Sequence, residues 1–128
     1  MPRPTILVVD DNEIVREITC QVLDDAGYRA VPLSNAFALT QAILDHRPEL
    51  ILLDVRMPAL SGEKATQILR QRRFSRDIPI VFYSELDEAE LERLVAETGA
   101  SGHLRKQPGA RGVVEAVEAW VDRPTAVV

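Results

Sequence analysis

Apolar and polar positions along this chain come in blocks. Residues 5–10, TILVVD, are an almost unbroken apolar run rich in β-branched side chains, and they end in an acid. Residues 49–54, ELILLD, repeat that layout, and residues 78–84, IPIVFYS, close on a serine. Continuous runs of this length predict strands buried on both faces, because a strand with one wet face alternates instead. Between the runs the period changes to that of a helix. Residues 12–26 place Ile14, Ile18 and Val22 at helical spacing, with Asn12 as N-cap and Gly27 as the stop. Residues 35–46 predict a second helix carrying Phe37, Ala38, Ala42 and Ile43, and residues 62–73 a third with Ala65, Ile68 and Leu69 inward. Residues 87–98 predict a fourth, closed by Gly99, and residues 109–122 a fifth, with Val113, Val117, Trp120 and Val121 on one face. Two weaker strands complete the pattern: YRAVPL (28–33), where Pro32 predicts an edge position, and GHLRK (102–106).

Five strand–helix units with short connections predict an α/β fold, a doubly wound parallel sheet with helices on both faces. The 128 residues fit one domain, with a core at 4–122 and a short tail, 123–128, expected to fray. No output domain is expected after that tail. A net charge of −5 argues against nucleic-acid binding, which needs a basic surface. No apolar run approaches the roughly 18 residues of a membrane span, and the start, MPRPTILVVD, lacks a signal-peptide layout. The single cysteine, Cys20, cannot form an internal disulfide, and a cytoplasmic setting is expected.

The strand ends carry the chemistry. In an open parallel sheet, ligands bind beyond the carboxyl ends of the strands. Strand one ends in Asp10 and Asp11, strand three in Asp54, strand four in Ser84 and strand five in Lys106. Three carboxylates, one hydroxyl and one ammonium therefore converge on one rim. Crowded carboxylates need a cation, and hard oxygen ligands suit Mg²⁺, which takes one or two carboxylates and keeps phosphate oxygens and waters. Lys106 supplies a point charge for a phosphoryl oxygen and Ser84 a hydrogen-bond donor. A carboxylate can itself carry a phosphoryl group covalently. Asp10 and Asp11 then help to hold the metal that lets Asp54 be phosphorylated.

The stretches VVDDNE, ILLDVRMPALSG, IPIVFYS and GASGHLRK, in this order and spacing, resemble the response regulator receiver domain, the CheY-like fold. The resemblance covers about residues 4 to 122. It implies a flavodoxin-like strand order of 2-1-3-4-5 with five helices. It also implies that Asp54 accepts a phosphoryl group from a histidine kinase or phosphotransfer protein. Asp11 would ligate Mg²⁺ directly, Asp10 would help through water or orientation, and the backbone carbonyl of Arg56 would add a ligand. Ser84 and Lys106 would meet the phosphoryl group, and His103 would rotate inward as the switch residue. The face of helix four, strand five and helix five would then change, with Leu86, His103, Arg105 and Val114 as contact candidates. The protein would be no enzyme beyond its own dephosphorylation, and a monomer or a phosphorylation-dependent dimer.

Four positions depart from the family pattern. Glu85 stands where a small residue is usual, Gln107 where a cis-proline is usual, His103 in place of Tyr or Phe, and Arg56 at a variable position. A cis bond before Gln107 costs about 3 kcal/mol, so a trans bond is expected there. Arg56 and Glu85 are expected to pair across the rim as a gate over Asp54, worth ~0–1 kcal/mol as an exposed pair. The competing readings are a pseudo-receiver that no longer switches by phosphorylation, and a receiver cut from a larger kinase or transcription regulator. A phosphatase of the aspartyl-phosphate type lacks its second acid where Arg56 stands, and a flavin domain lacks a phosphate-cradling loop after strand one. Bland roles exist for each residue: acids at a helix N-terminus for Asp10 and Asp11, a turn for Asp54, and plain packing for Cys20 and Trp120.

Overall fold

The computed structural model describes residues 3–122; the tail expected to fray lies outside the described residues. Five strands run in parallel in the order β2-β1-β3-β4-β5: β1 Thr5–Val9, β2 Arg29–Leu33, β3 Leu50–Leu53, β4 Ile80–Ser84 and β5 Gly102–Arg105. The helices are α1 Glu13–Asp25, α2 Leu39–His46, α3 Gly62–Arg70, α4 Glu88–Thr98 and α5 Val113–Glu118. The three apolar runs form the centre of the sheet, and all residues of β1, β3 and β4 are buried. Pro32 lies in β2, an edge strand paired only with β1, where a missing N–H costs no ladder bond.

Alternate residues of each central strand feed two separate cores. Leu7, Val9, Ile51, Leu53, Ile80 and Phe82 pack under α2, α3 and α4. Ile6, Val8, Leu50, Leu52, Val81 and Tyr83 pack under α1 and α5, against Leu23, Val113 and Val117. Burying a side chain of this size contributes roughly 1.5–3 kcal/mol. Neither face of the central strands can therefore accept a polar residue without cost, and polar groups are driven to the strand ends.

Three of the five helices, α1, α3 and α4, start where expected. Asn12, Ser61 and Asp87 cap α1, α3 and α4 by accepting from Val15, Lys64 and Glu90 N–H groups. Five apolar expectations are corrected. Ile14 (69% exposed), Ile18 and Phe37 (67%) face solvent, because Val15, Val22 and Leu23 of α1 and Leu39, Ala42 and Ile43 of α2 provide the buried stripes. Ile68 and Trp120 are also largely exposed. The second helix opens with a 3-10 turn, Ala36–Ala38, capped by Asn35. The fifth is shorter than the pattern implied. Gly109, Ala110 and Gly112 all adopt positive φ, so a 3-10 turn at Pro108–Ala110 comes first and the helix begins only at Val113. The bond before Gln107 is trans.

One side chain ties the lower ends of several elements. The Arg70 guanidinium donates to the carbonyls of Gly99 (2.8 Å), Arg76 (3.1 Å) and Ile78 (2.8 Å) and to Ser101 Oγ (3.1 Å). Ser101 Oγ in turn accepts from Ile80 N at 3.0 Å. Replacing Arg70 by Met keeps the stem but removes the donor from the part-buried Ile78 carbonyl and from the exposed Gly99 and Arg76 carbonyls. Such bonds to a charged donor are worth about 1.5–3 kcal/mol, so Arg70→Met lowers the urea midpoint by that amount of stability with an unchanged m-value.

Candidate functional site

The polar strand ends meet at the carboxyl rim of β1, β3, β4 and β5. Backbone bonds fix their positions: Asp10 N donates to Leu33 O (3.1 Å), Asp54 N to Val9 O (2.9 Å) and Lys106 N to Ser84 O (2.7 Å). Asp10 (1% exposed) and Asp54 (6%) are buried, and Asp11 is exposed. Asn12 serves twice. Its side chain caps α1, and its backbone N–H donates to Asp10 Oδ1 at 2.9 Å. Arg16, one turn into α1, donates to the Asp10 carbonyl at 2.8 Å.

Lys106 Nζ lies 2.8 Å from Asp10 Oδ2 and 3.4 Å from Asp54 Oδ2. The approach to Asp10 is an ion pair without good hydrogen-bond alignment, and that oxygen is left with no hydrogen-bond partner. The ammonium also stands 5.9 Å from the centre of the Tyr83 ring, within cation–π range. Burial works against the Lys106 charge, but its close approach to Asp10, its hydrogen bond to Asp54 and the charges of both acids prevail and raise its pKa. Asp54 moves the other way from a typical carboxylate. Burial, opposed by Lys106 and reinforced by the Asp10 and Asp11 charges, pushes it up to about 6. One ammonium does not satisfy three carboxylates. Asp10, Asp11 and Asp54 each offer an oxygen within 4.8 Å of the others, a donor set that suits a hard divalent cation. The poorly satisfied Asp10 oxygen is the observation in favour of that fit.

Ser84 is buried at the end of β4, and its Oγ accepts from Leu86 N at 3.3 Å. The sequence places Ser84, Lys106, Asp10, Asp11 and Asp54 on this rim, and the structure brings all five there. His103 stands apart, on β5 against α4, with Nδ1 3.4 Å from Glu88 Oε2. The expected gate is not formed: among the described residues no ion pair joins Arg56 to Glu85. β3 and β4 pair only as far as Leu53 and Phe82, and past Asp54 the chain turns into the α3 connection, where Val55 O accepts from Gly62 N. Glu85 instead lines an open groove of about 300 Å³ on the α1 side, with Val15, Ile18, Tyr83, Lys106 and Gln107. Burial pushes the Cys20 thiol up to about 11, away from the thiolate form that nucleophilic chemistry uses.

Two contributors carry no role in the sequence reading. Tyr83 seats the Lys106 ammonium. Gly62, the first residue of α3, passes so close to the phosphoacceptor candidate that an added Cβ would lie 2.1 Å from the Asp54 carbonyl oxygen. The ALSG sequence, with its Ser cap followed by Gly, was the available signal for a helix start crowded by backbone.

The comparisons with known proteins agree with this fold. The family model for the response regulator receiver domain matches residues 6–118. This chain belongs to the response regulator receiver family. It is 32% identical over 119 residues to the phosphate regulon transcriptional regulatory protein PhoB of Pseudomonas aeruginosa, covering 93% of this chain and 52% of that protein. The chain thus spans about half the length of the curated relatives it matches first. The chemotaxis protein CheY4 of Vibrio cholerae has the same fold, with a TM-score of 0.85, 22% identity, and coverage of 93% and 99% of the two chains. So does the receiver domain of sensor histidine kinase PA1611 from Pseudomonas aeruginosa, with a TM-score of 0.81, 23% identity and coverage of 92% and 97%; its active-site cleft coordinates magnesium. The receiver family serves two-component signalling, both in response regulators and within sensor kinases. Among the described residues no helix is long and apolar enough to cross a membrane.

Two measurements test the site. The raised value of Asp54 means that the folded state binds its proton first as pH falls. The stability this group contributes is full below about pH 4 and is lost as pH rises through about 6. In metal-free buffer, Asp54→Asn therefore stabilises the fold at neutral pH by roughly 1–3 kcal/mol, and the gain disappears near pH 4. Thermal melts across that range check both parts. Gly62→Ala forces the Asp54 backbone to move, and overpacking of this kind costs about 1–3 kcal/mol; a loss under 0.5 kcal/mol in chemical denaturation would contradict the close approach.

Proposed function

We propose that this protein is a phosphoacceptor that takes a phosphoryl group on Asp54 with Mg²⁺ bound at the rim and signals by a change of surface. The observation that carries this reading is the excess of buried carboxylate over ammonium at the ends of β1 and β3. Asp10, Asp11 and Asp54, with the Arg56 carbonyl, are the groups that would hold Mg²⁺, and among the described residues no hydrogen bond is donated to that carbonyl. When bound, the cation neutralises charge on the phosphoryl oxygens and the attacking carboxylate.

The chain's own residues do the rest. An ionised Asp54 oxygen attacks the phosphorus of a phosphohistidine on a kinase or phosphotransfer protein. The new P–O bond forms as the P–N bond breaks, and the leaving imidazole takes up a proton. Lys106, already 3.4 Å from Asp54, keeps its charge and pairs with a phosphoryl oxygen. Ser84 Oγ donates to the same group once it leaves Leu86 N. The face of α4, β5 and α5, with Leu86, His103, Arg105 and Val114, is the surface offered to a protein partner. Glu85 and Gln107, in the groove beside Lys106, bear on phosphoryl lifetime by controlling water access.

Intact mass after incubation with a small phosphodonor tests this reading. One phosphoryl adduct is expected, dependent on Mg²⁺ and absent from Asp54→Asn. A folded protein that gains no adduct from any donor would instead be a phosphorylation-independent interaction module.

A further inference from the structure

Away from the rim, α4 and β5 bring together a second set of metal-ligating side chains. Glu88 and Glu92 lie four residues apart on α4 and so project from one face. His103 reaches them from β5, and the three residues each offer one ligand atom within 4.8 Å of the others. Ligands about 2.0–2.2 Å from a shared ion fall within that mutual spacing. The neighbouring acids are spoken for: Glu90 and Glu97 both pair with Arg93, whereas among the described residues no Lys or Arg pairs with Glu88 or Glu92. His103 supplies an independent sign. Its Nδ1 is shut off from solvent and has no hydrogen-bond partner, although Glu88 Oε2 is only 3.4 Å away. A buried ring nitrogen in that state lacks the partner that buried polar atoms nearly always have.

We propose that Glu88, Glu92 and His103 form a second divalent-cation site that fastens α4 to β5. Two carboxylates and an imidazole define the metal class. The imidazole nitrogen suits Zn²⁺, Co²⁺ or Ni²⁺, whereas Mg²⁺ demands oxygen ligands and is retained by the aspartates of the rim. Three protein ligands at a surface leave the remaining positions to water. The site therefore discriminates between cations that the rim alone would not separate. Resting on the receiver reading above, occupancy also regulates it: a metal on His103 holds that side chain against α4 and opposes the inward rotation assigned to it.

Calorimetric titration with Zn²⁺ in excess Mg²⁺ tests the site without any phosphodonor, so its outcome is independent of whether Asp54 is phosphorylated. The wild type and Asp11→Asn are expected to bind one Zn²⁺ alike. Glu92→Gln and His103→Gln are expected to bind it at least about tenfold more weakly while keeping the wild-type circular dichroism. Zn²⁺ is also expected to raise the melting temperature of the wild type and not of His103→Gln. Binding that survives in His103→Gln, binding lost in Asp11→Asn, or no binding by the wild type would each overturn the proposal.

Discussion

The site depends on one ammonium. Lys106 stands between Asp10 and Asp54, 2.8 Å from one carboxylate and 3.4 Å from the other, in a place where water does little to relieve like charge. Removing water from a carboxylate costs several kcal/mol, and a partner repays that only when the remaining lone pairs are also met. Here they are not all met. Asp10 Oδ2 lacks a well-aligned donor, and Asp54 is pushed toward protonation despite its cation. The rim is thus poised for further positive charge.

The rigidity around it explains how this state persists. Three fully buried strands end at the rim, and backbone bonds from Asp10, Asp54 and Lys106 to their neighbours hold the acids in register. The backbones that carry Asp10 and Asp54 cannot move apart without breaking the ladder or unpacking a core face. Gly62 adds to this, because the start of α3 presses on the Asp54 carbonyl with no side chain between. The stability of two well-packed cores is what tolerates a frustrated set of charges at their edge.

The fold and the rim were legible for one reason. Strands buried on both faces admit polar residues only at their ends, so apolar runs ending in Asp10, Asp54 and Ser84 reveal both the sheet and the site. The helix faces were less legible. Ile14, Ile18 and Phe37 fit an apolar period, but exposure is decided by which stripe meets the sheet, and α1 offers two apolar stripes where only one can be buried. The start of α5 was hidden by positive φ at Gly109, Ala110 and Gly112, a backbone property that Ala110 does not announce. Arg56 and Glu85 are aligned by strand counting, yet the pairing of β3 and β4 ends three residues earlier, so counting past a strand's end misplaced them. Tyr83 and Gly62 act through a distance that only tertiary packing sets.

The strand that leads into Lys106 is, like β2 at the opposite edge, weakly anchored. β5 is an edge strand of four residues with no fully buried position, bonded to the sheet only through β4. Local opening and shifting fall where buried contacts are fewest. Lys106 follows its last residue directly, and His103 sits within it against Glu88 of α4. The residue whose pairing a phosphoryl group would change is therefore attached to a strand with few buried contacts. The central strands that end in Asp10 and Asp54 are buried along their whole length. Burial falls from the central strands to both edges, but only the β5 edge leads into Lys106, so the α4–β5 surface is the partly buried region nearest to that charge.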